Sequence, residues 1–84
     1  MAIPRGEYNG HPSWAAWNVC LWMWNDEGLY NFALDCLRRH RRLEAAVAAF
    51  MGGVDPRTPD GAKYSRRSVR ATLADMKANH DLAA

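Results

Sequence analysis

Eleven consecutive residues, Trp14 to Trp24, carry a single polar side chain, Asn18. Ser13 stands just before them, after Pro12, and suits the N-cap of a helix over about 14–24. A membrane span needs roughly twenty apolar residues, so this run reads as a buried core helix. At 100° per residue Trp14, Trp17, Leu21 and Trp24 share one face with Cys20 beside them, and Val19, Trp22 and Met23 take the other side. Stripe logic assigns Trp14, Trp17 and Trp24 to the core. Trp22 lies off that stripe: it either packs a second side of the core or stands exposed as an anchor for a partner. A helix apolar nearly all round is either sandwiched or partly offered to a partner.

The rest of the chain has to cover this helix with little material. A folded chain of 84 residues exposes roughly 5,000 Å² and supports one core without a deep cleft. A 49% share of hydrophobic residues, with four Trp, excludes a disordered tail. A single domain over 1–84 is expected, with a loop at 1–12 and another at 52–64. Asn25 or Asp26 caps the next helix, and Asp26 and Glu27 suit the positive end of its dipole. Leu29, Ala33, Cys36, His40, Leu43, Val47 and Phe50 then recur at spacings of four and three. They form either one long helix or two with a bend near Arg38–Arg42. Gly52-Gly53 reads as the C-cap that ends the stripe.

Thr58-Pro59-Asp60-Gly61 fits a β-turn with Pro in its second position. Ser65 caps a last helix over about 66–79 with Val69, Leu73 and Met76 as its apolar stripe. No period-two strand pattern occurs. The expected fold is all-α, a small bundle of three to four helices around the Trp-rich first helix.

Cys20 and Cys36 are too few for a disulfide framework and read as buried thiols. Met1–Glu7 has no apolar stretch of a secretory signal, so a cytoplasmic protein is expected. Cys36 and His40, four apart, supply two ligands where a structural zinc needs four. His11 and Cys20 would have to complete the set. No metal or cofactor is therefore expected. No nucleophile elbow, Walker loop, dinucleotide fingerprint or zinc-protease motif is present, and no enzyme is expected.

The net charge of +2 conceals a split. Residues 1–37 sum to −3, and residues 38–84, with ten Lys/Arg against five carboxylates, sum to +5. Arg38, Arg39, Arg41 and Arg42 form one basic group. Arg66, Arg67 and Arg70 form another, where cations oppose the dipole of a helix start. The bland reading is a solvated helix face. The functional one is a grip on phosphates or on an acidic protein surface. These seven arginines, with Trp22, are the candidate partner-binding residues.

Ser13-Trp14-Ala15-Ala16-Trp17-Asn18-Val19-Cys20-Leu21-Trp22, followed by Asn25-Asp26-Glu27-Gly28-Leu29-Tyr30, resembles a family of small proteins of tailed phages and mobile elements. Its signature is W-N-V-x-L-W with N-D-E-G-L-Y, often with a later T-P-D-G, matched here by Thr58–Gly61. Ala16 stands where that family has Thr or a similar polar residue. The family has no assigned function and supplies no catalytic residues. The resemblance implies a phage or prophage origin, and so the cytoplasm of a bacterial host. Small phage proteins without catalytic motifs often inhibit host defence.

The leading expectation is an anti-CRISPR-like inhibitor that binds a CRISPR effector complex and blocks target-DNA binding. A small nucleic-acid-binding regulator reading DNA through helix 66–79 is the alternative. Its pI near 8.8 falls short of strongly basic DNA-binding domains. A homodimer closing over the first helix is a third possibility. In the signature itself Trp14, Trp17, Val19, Leu21 and Trp22 read as architecture. Asn18 is expected to bond the turn at Asn25–Gly28, Gly28 to allow close helix approach, and Tyr30 to stack near Trp17 or Trp24.

Overall fold

The structure, a computed structural model, describes residues 13–80. The expected loop at 1–12, His11 and the last four residues lie outside them. Four helices follow one another: α1 (Trp14–Asn25), α2 (Glu27–Arg39), α3 (Leu43–Gly53) and α4 (Arg66–His80). The all-α bundle is the fold expected. Among the described residues the sole β pairing is an isolated antiparallel bridge between Arg57 and Lys63.

Local chemistry sets the helix ends. The Ser13 hydroxyl accepts from the Ala16 N–H at 3.1 Å and starts α1. Asp26, in extended conformation, ends α1 and starts α2 by itself. Its N–H donates to the Trp22 carbonyl at 2.9 Å, and its carboxylate accepts from the Leu29 N–H at 2.9 Å. One residue therefore turns the chain between two helices. The long stripe is two helices: His40 and Arg42 adopt extended backbone and Arg41 lies between them. The apolar register continues across this break, with Ala33 and Cys36 buried before it and Val47 and Phe50 after it.

Two expectations need correction. Gly52 and Gly53 do not form a left-handed cap; α3 runs through both and ends at Val54. Among the described residues Gly61 is the glycine with positive φ, at 95°. Gly53 is small for a different reason. A Cβ there would lie 2.4 Å from the Phe32 ring, which stacks on Phe50 with centroids 5.4 Å apart. At Gly28 a Cβ would meet the Asp26 carboxylate at 3.4 Å, so the close approach is at Gly53 instead.

The second correction concerns α1. Its buried side is Ala16, Val19 and Met23, with Asn18, while Trp14, Trp17 and Trp24 are half-buried and Leu21 is exposed. α1 packs on α2 and α4. Neighbours on one side cover a strip of small and medium side chains, and the indoles straddle the edges of that strip. Trp24 meets Tyr30 at 5.9 Å, as expected, and stacks on His80 at 6.1 Å. The core continues through Leu34, Val69, Leu73 and Met76, the last three being the expected stripe of α4.

The two neighbouring glycines make opposite predictions. Gly53→Ala forces a methyl into the Phe32 ring and should cost about 1–3 kcal/mol. Gly52→Ala meets nothing within 4 Å and should be neutral or stabilising by up to about 1 kcal/mol. Thermal melts of the two variants check this; equal melting temperatures would contradict the packing described.

Candidate functional site

The basic residues divide among three places. Along α4, Arg66, Arg70 and Lys77 fall within about 40° of one another on the helical wheel, because spacings of four and seven are whole turns. The element facing them is α3, which runs antiparallel to α4. Lys77 donates to the Arg41 carbonyl at 3.4 Å, Arg66 and Arg70 reach Glu44, and Phe50 packs edge-on against Tyr64 at 5.9 Å. Arg42 is the N-cap residue of α3, two positions before Glu44. The result is a seam along α3 and α4 in which Arg66 and Arg70 share Glu44, Lys77 holds the Arg41 carbonyl, and Arg41 and Arg42 stand exposed at the start of α3.

Glu44 faces the two arginines in the first turns of α4. Arg66 approaches it at 3.6 Å, and the Arg70 Nε–H donates to its other oxygen. All three side chains are more than half exposed, so these pairs contribute little stability. They orient two guanidinium groups while leaving the seam positive.

The other arginines stand apart. Arg38 and Arg39 occupy the last turn of α2, where cations complement the dipole, and Arg39 pairs with Asp35 at 3.0 Å. Arg67 lies on another side of α4, beside a groove that Ser13 and Ala16 of α1 also line. The seven arginines thus do not form one cluster: Arg41, Arg42, Arg66 and Arg70 come together, and Arg38, Arg39 and Arg67 do not join them. Lys77 completes the seam. Its signal in the sequence was its position seven residues beyond Arg70.

Trp22 is not a free anchor. It is half-buried, and its indole N–H donates to the Asp60 carboxylate at 2.9 Å. The same oxygen accepts from the Asn18 amide at 2.9 Å. Asn18, almost fully buried, does not bond the Asn25–Gly28 turn as expected. Its carbonyl accepts from the Thr58 hydroxyl at 2.6 Å, and that hydroxyl accepts from the Ala62 N–H at 3.0 Å. The Thr58–Gly61 turn is as expected, closed by Gly61 N–H to the Thr58 carbonyl at 2.8 Å, with Gly61 supplying the positive φ that follows the turn. The two stretches that carry the family resemblance meet here, and their polar residues lock α1 to the hairpin.

Burial raises both thiols above their ordinary range. Burial pushes the Cys20 thiol up against a hydrogen bond with Thr72 that lowers it, and Asp75 adds to the rise. Burial likewise raises Cys36, with Asp35 adding to it. His40 is the C-cap of α2, its N–H bonded to the Cys36 carbonyl, so the two do not share a regular helix face. Among the described residues no three His, Cys, Asp or Glu side chains are grouped to hold a metal ion. No helix among them is long and apolar enough to cross a membrane.

A family model matches residues 5–82, nearly the whole chain. The chain belongs to DUF7249, a family of unknown function. No curated protein and no solved structure matches it. What this DUF7249 chain presents chemically is a basic seam on a small bundle whose buried polar network is structural.

The network makes a pH prediction. Hydrogen bonds from Asn18 and then Trp22 hold the Asp60 carboxyl below its ordinary 3.8. A depressed folded-state pKa contributes stability above the unfolded value, and that stability is lost as pH falls through the folded one. Asp60→Asn should therefore melt below the wild type at neutral pH, with the gap closing on acidification below about pH 4. Asn18→Leu, which leaves the Thr58 hydroxyl without its acceptor, should cost about 1–3 kcal/mol. Denaturant titrations across pH check both; a pH-independent gap for Asp60→Asn would count against the assignment.

Proposed function

We propose that this chain is a non-enzymatic inhibitor of phage origin. Its α3–α4 seam docks on a host ribonucleoprotein, a CRISPR effector complex, and blocks target-DNA binding. The observation that carries the reading is the seam itself: five exposed or half-exposed cations on the paired α3 and α4, two of them sharing Glu44. Exposed guanidinium forks suit phosphates and carboxylates on a partner. The phage origin rests on the sequence resemblance, and the choice of a CRISPR effector on the size and origin of the chain. Arg38, Arg39 and Arg67 flank the seam as outer contacts that steer association.

Direct DNA binding through α4 is the competing reading. Against it, α4 packs against all three other helices. A recognition helix needs a face free to reach base edges.

The test is capture of purified CRISPR effector complexes by the tagged chain, with target-DNA binding as the second readout. Arg41→Glu, Arg42→Glu and Arg70→Glu together should weaken capture by roughly a hundredfold or more, because like charges replace complementary ones. Glu44→Gln should strengthen it severalfold while changing stability by less than about 1 kcal/mol. Capture unaffected by the triple reversal refutes the seam. Specific duplex binding by the chain alone, falling steeply with salt, favours the regulator.

A further inference from the structure

A second surface feature is independent of the seam. An open cleft of about 570 Å³ lies between the start of α2 and the segment after α3, lined among others by Asp26, Leu29, Phe32, Asp55, Arg57 and Tyr64. Its lining mixes apolar side chains, Leu29, Phe32 and Val54, with polar ones, and its formal charge is −1, from two carboxylates and one arginine. Arg57 is turned along the hairpin, where its guanidinium donates to the Gly61 carbonyl at 3.0 Å.

The informative residue is Tyr64. It is 5% exposed, yet its hydroxyl makes no hydrogen bond among the described residues. Tyr64 is among the residues that line the cleft. Burial pushes the Tyr64 phenol up, and Asp26 and then Asp55 push it the same way. Both carboxylates are therefore within electrostatic reach of a nearly buried hydroxyl that makes no hydrogen bond among the described residues. A helix N-terminus favours anions, but here Asp26 already fills that role: its carboxylate takes the Leu29 N–H and its carbonyl the Tyr30 N–H. An additional anion would meet two like charges.

We propose that this cleft receives a lysine or arginine side chain of a partner protein. The aliphatic stem lies on Leu29 and Phe32, and the cationic head lies among Asp26, Asp55 and the Tyr64 hydroxyl. An amphipathic cation fits an apolar slot with acceptors at one end. The phenol supplies an acceptor that needs no deprotonation. Asp55 is the specific determinant, since the Asp26 carboxylate is shared with the helix cap.

Amide NMR titration with Nα-acetyl-lysine N-methylamide and its arginine counterpart tests this, with the neutral norleucine analogue and acetate as controls. The cationic probes should produce saturable shifts at Leu29, Val54 and Tyr64. Asp55→Asn should weaken them roughly tenfold while leaving the melting temperature unchanged. Arg70→Glu should leave the shifts intact, so failure of the cleft and failure of the seam are distinguishable. Equal shifts with norleucine or acetate, no saturable shift, or full binding by Asp55→Asn overturns the proposal.

Discussion

The amide of Asn18 is the one strongly polar group buried inside the apolar face of α1, and the arrangement of the bundle turns on how it is satisfied. A buried amide without partners costs more than most single contacts return. Here its carbonyl is matched to the Thr58 hydroxyl and its NH2 to Asp60. Both partners belong to one tight turn forty residues away. Apolar packing alone has weak orientational preference. This pairing fixes which side of α1 faces the hairpin, and Trp22, one turn further on, adds a second bond to the same carboxylate. With α1 oriented, Val19 and Met23 meet the core and the other tryptophans settle at its edges.

From that constraint the division of labour follows. Two carboxylates are spent on the fold itself: Asp26, in the acidic front half, caps α2, and Asp60, in the basic half, locks α1 to the turn. Glu44 organises two arginines and Asp35 one, Lys77 and Arg57 bond backbone carbonyls, and Arg38, Arg41, Arg42, Lys63 and Arg67 are exposed. Asp26 and Asp60 are thus tied into the fold more closely than the exposed arginines of α3 and α4. That is the physical reason for placing the working surface on α3 and α4.

Much of the fold was legible because it is written in local chemistry. Ser13, Asp26 and Ser65 cap helices through bonds three residues away. The Thr58–Gly61 turn and the Val69–Leu73–Met76 stripe also depend on near neighbours. The buried side of α1 was not legible, because a helix apolar on every face has no periodicity to choose between sides. The partner of Asn18 was hidden by a separation of forty residues. Gly52-Gly53 read as a stop because glycine pairs usually end helices, whereas Gly53 is small to admit Phe32. The seam was half legible: four of its cations lay within the two arginine clusters. Lys77 and the organising Glu44 required the antiparallel pairing of α3 with α4, and Arg38, Arg39 and Arg67 were separated from them by helix geometry.

The central claim is that Arg41, Arg42, Arg66 and Arg70 act together against a partner while Arg38 and Arg67 remain peripheral. Arginine-selective footprinting with phenylglyoxal, read by mass spectrometry on the free chain and on its complex with a captured effector, measures this directly. The account predicts strong protection of the four seam arginines and weak protection of Arg38 and Arg67. Protection confined to Arg38 and Arg67, or uniform labelling with and without the partner, would contradict it.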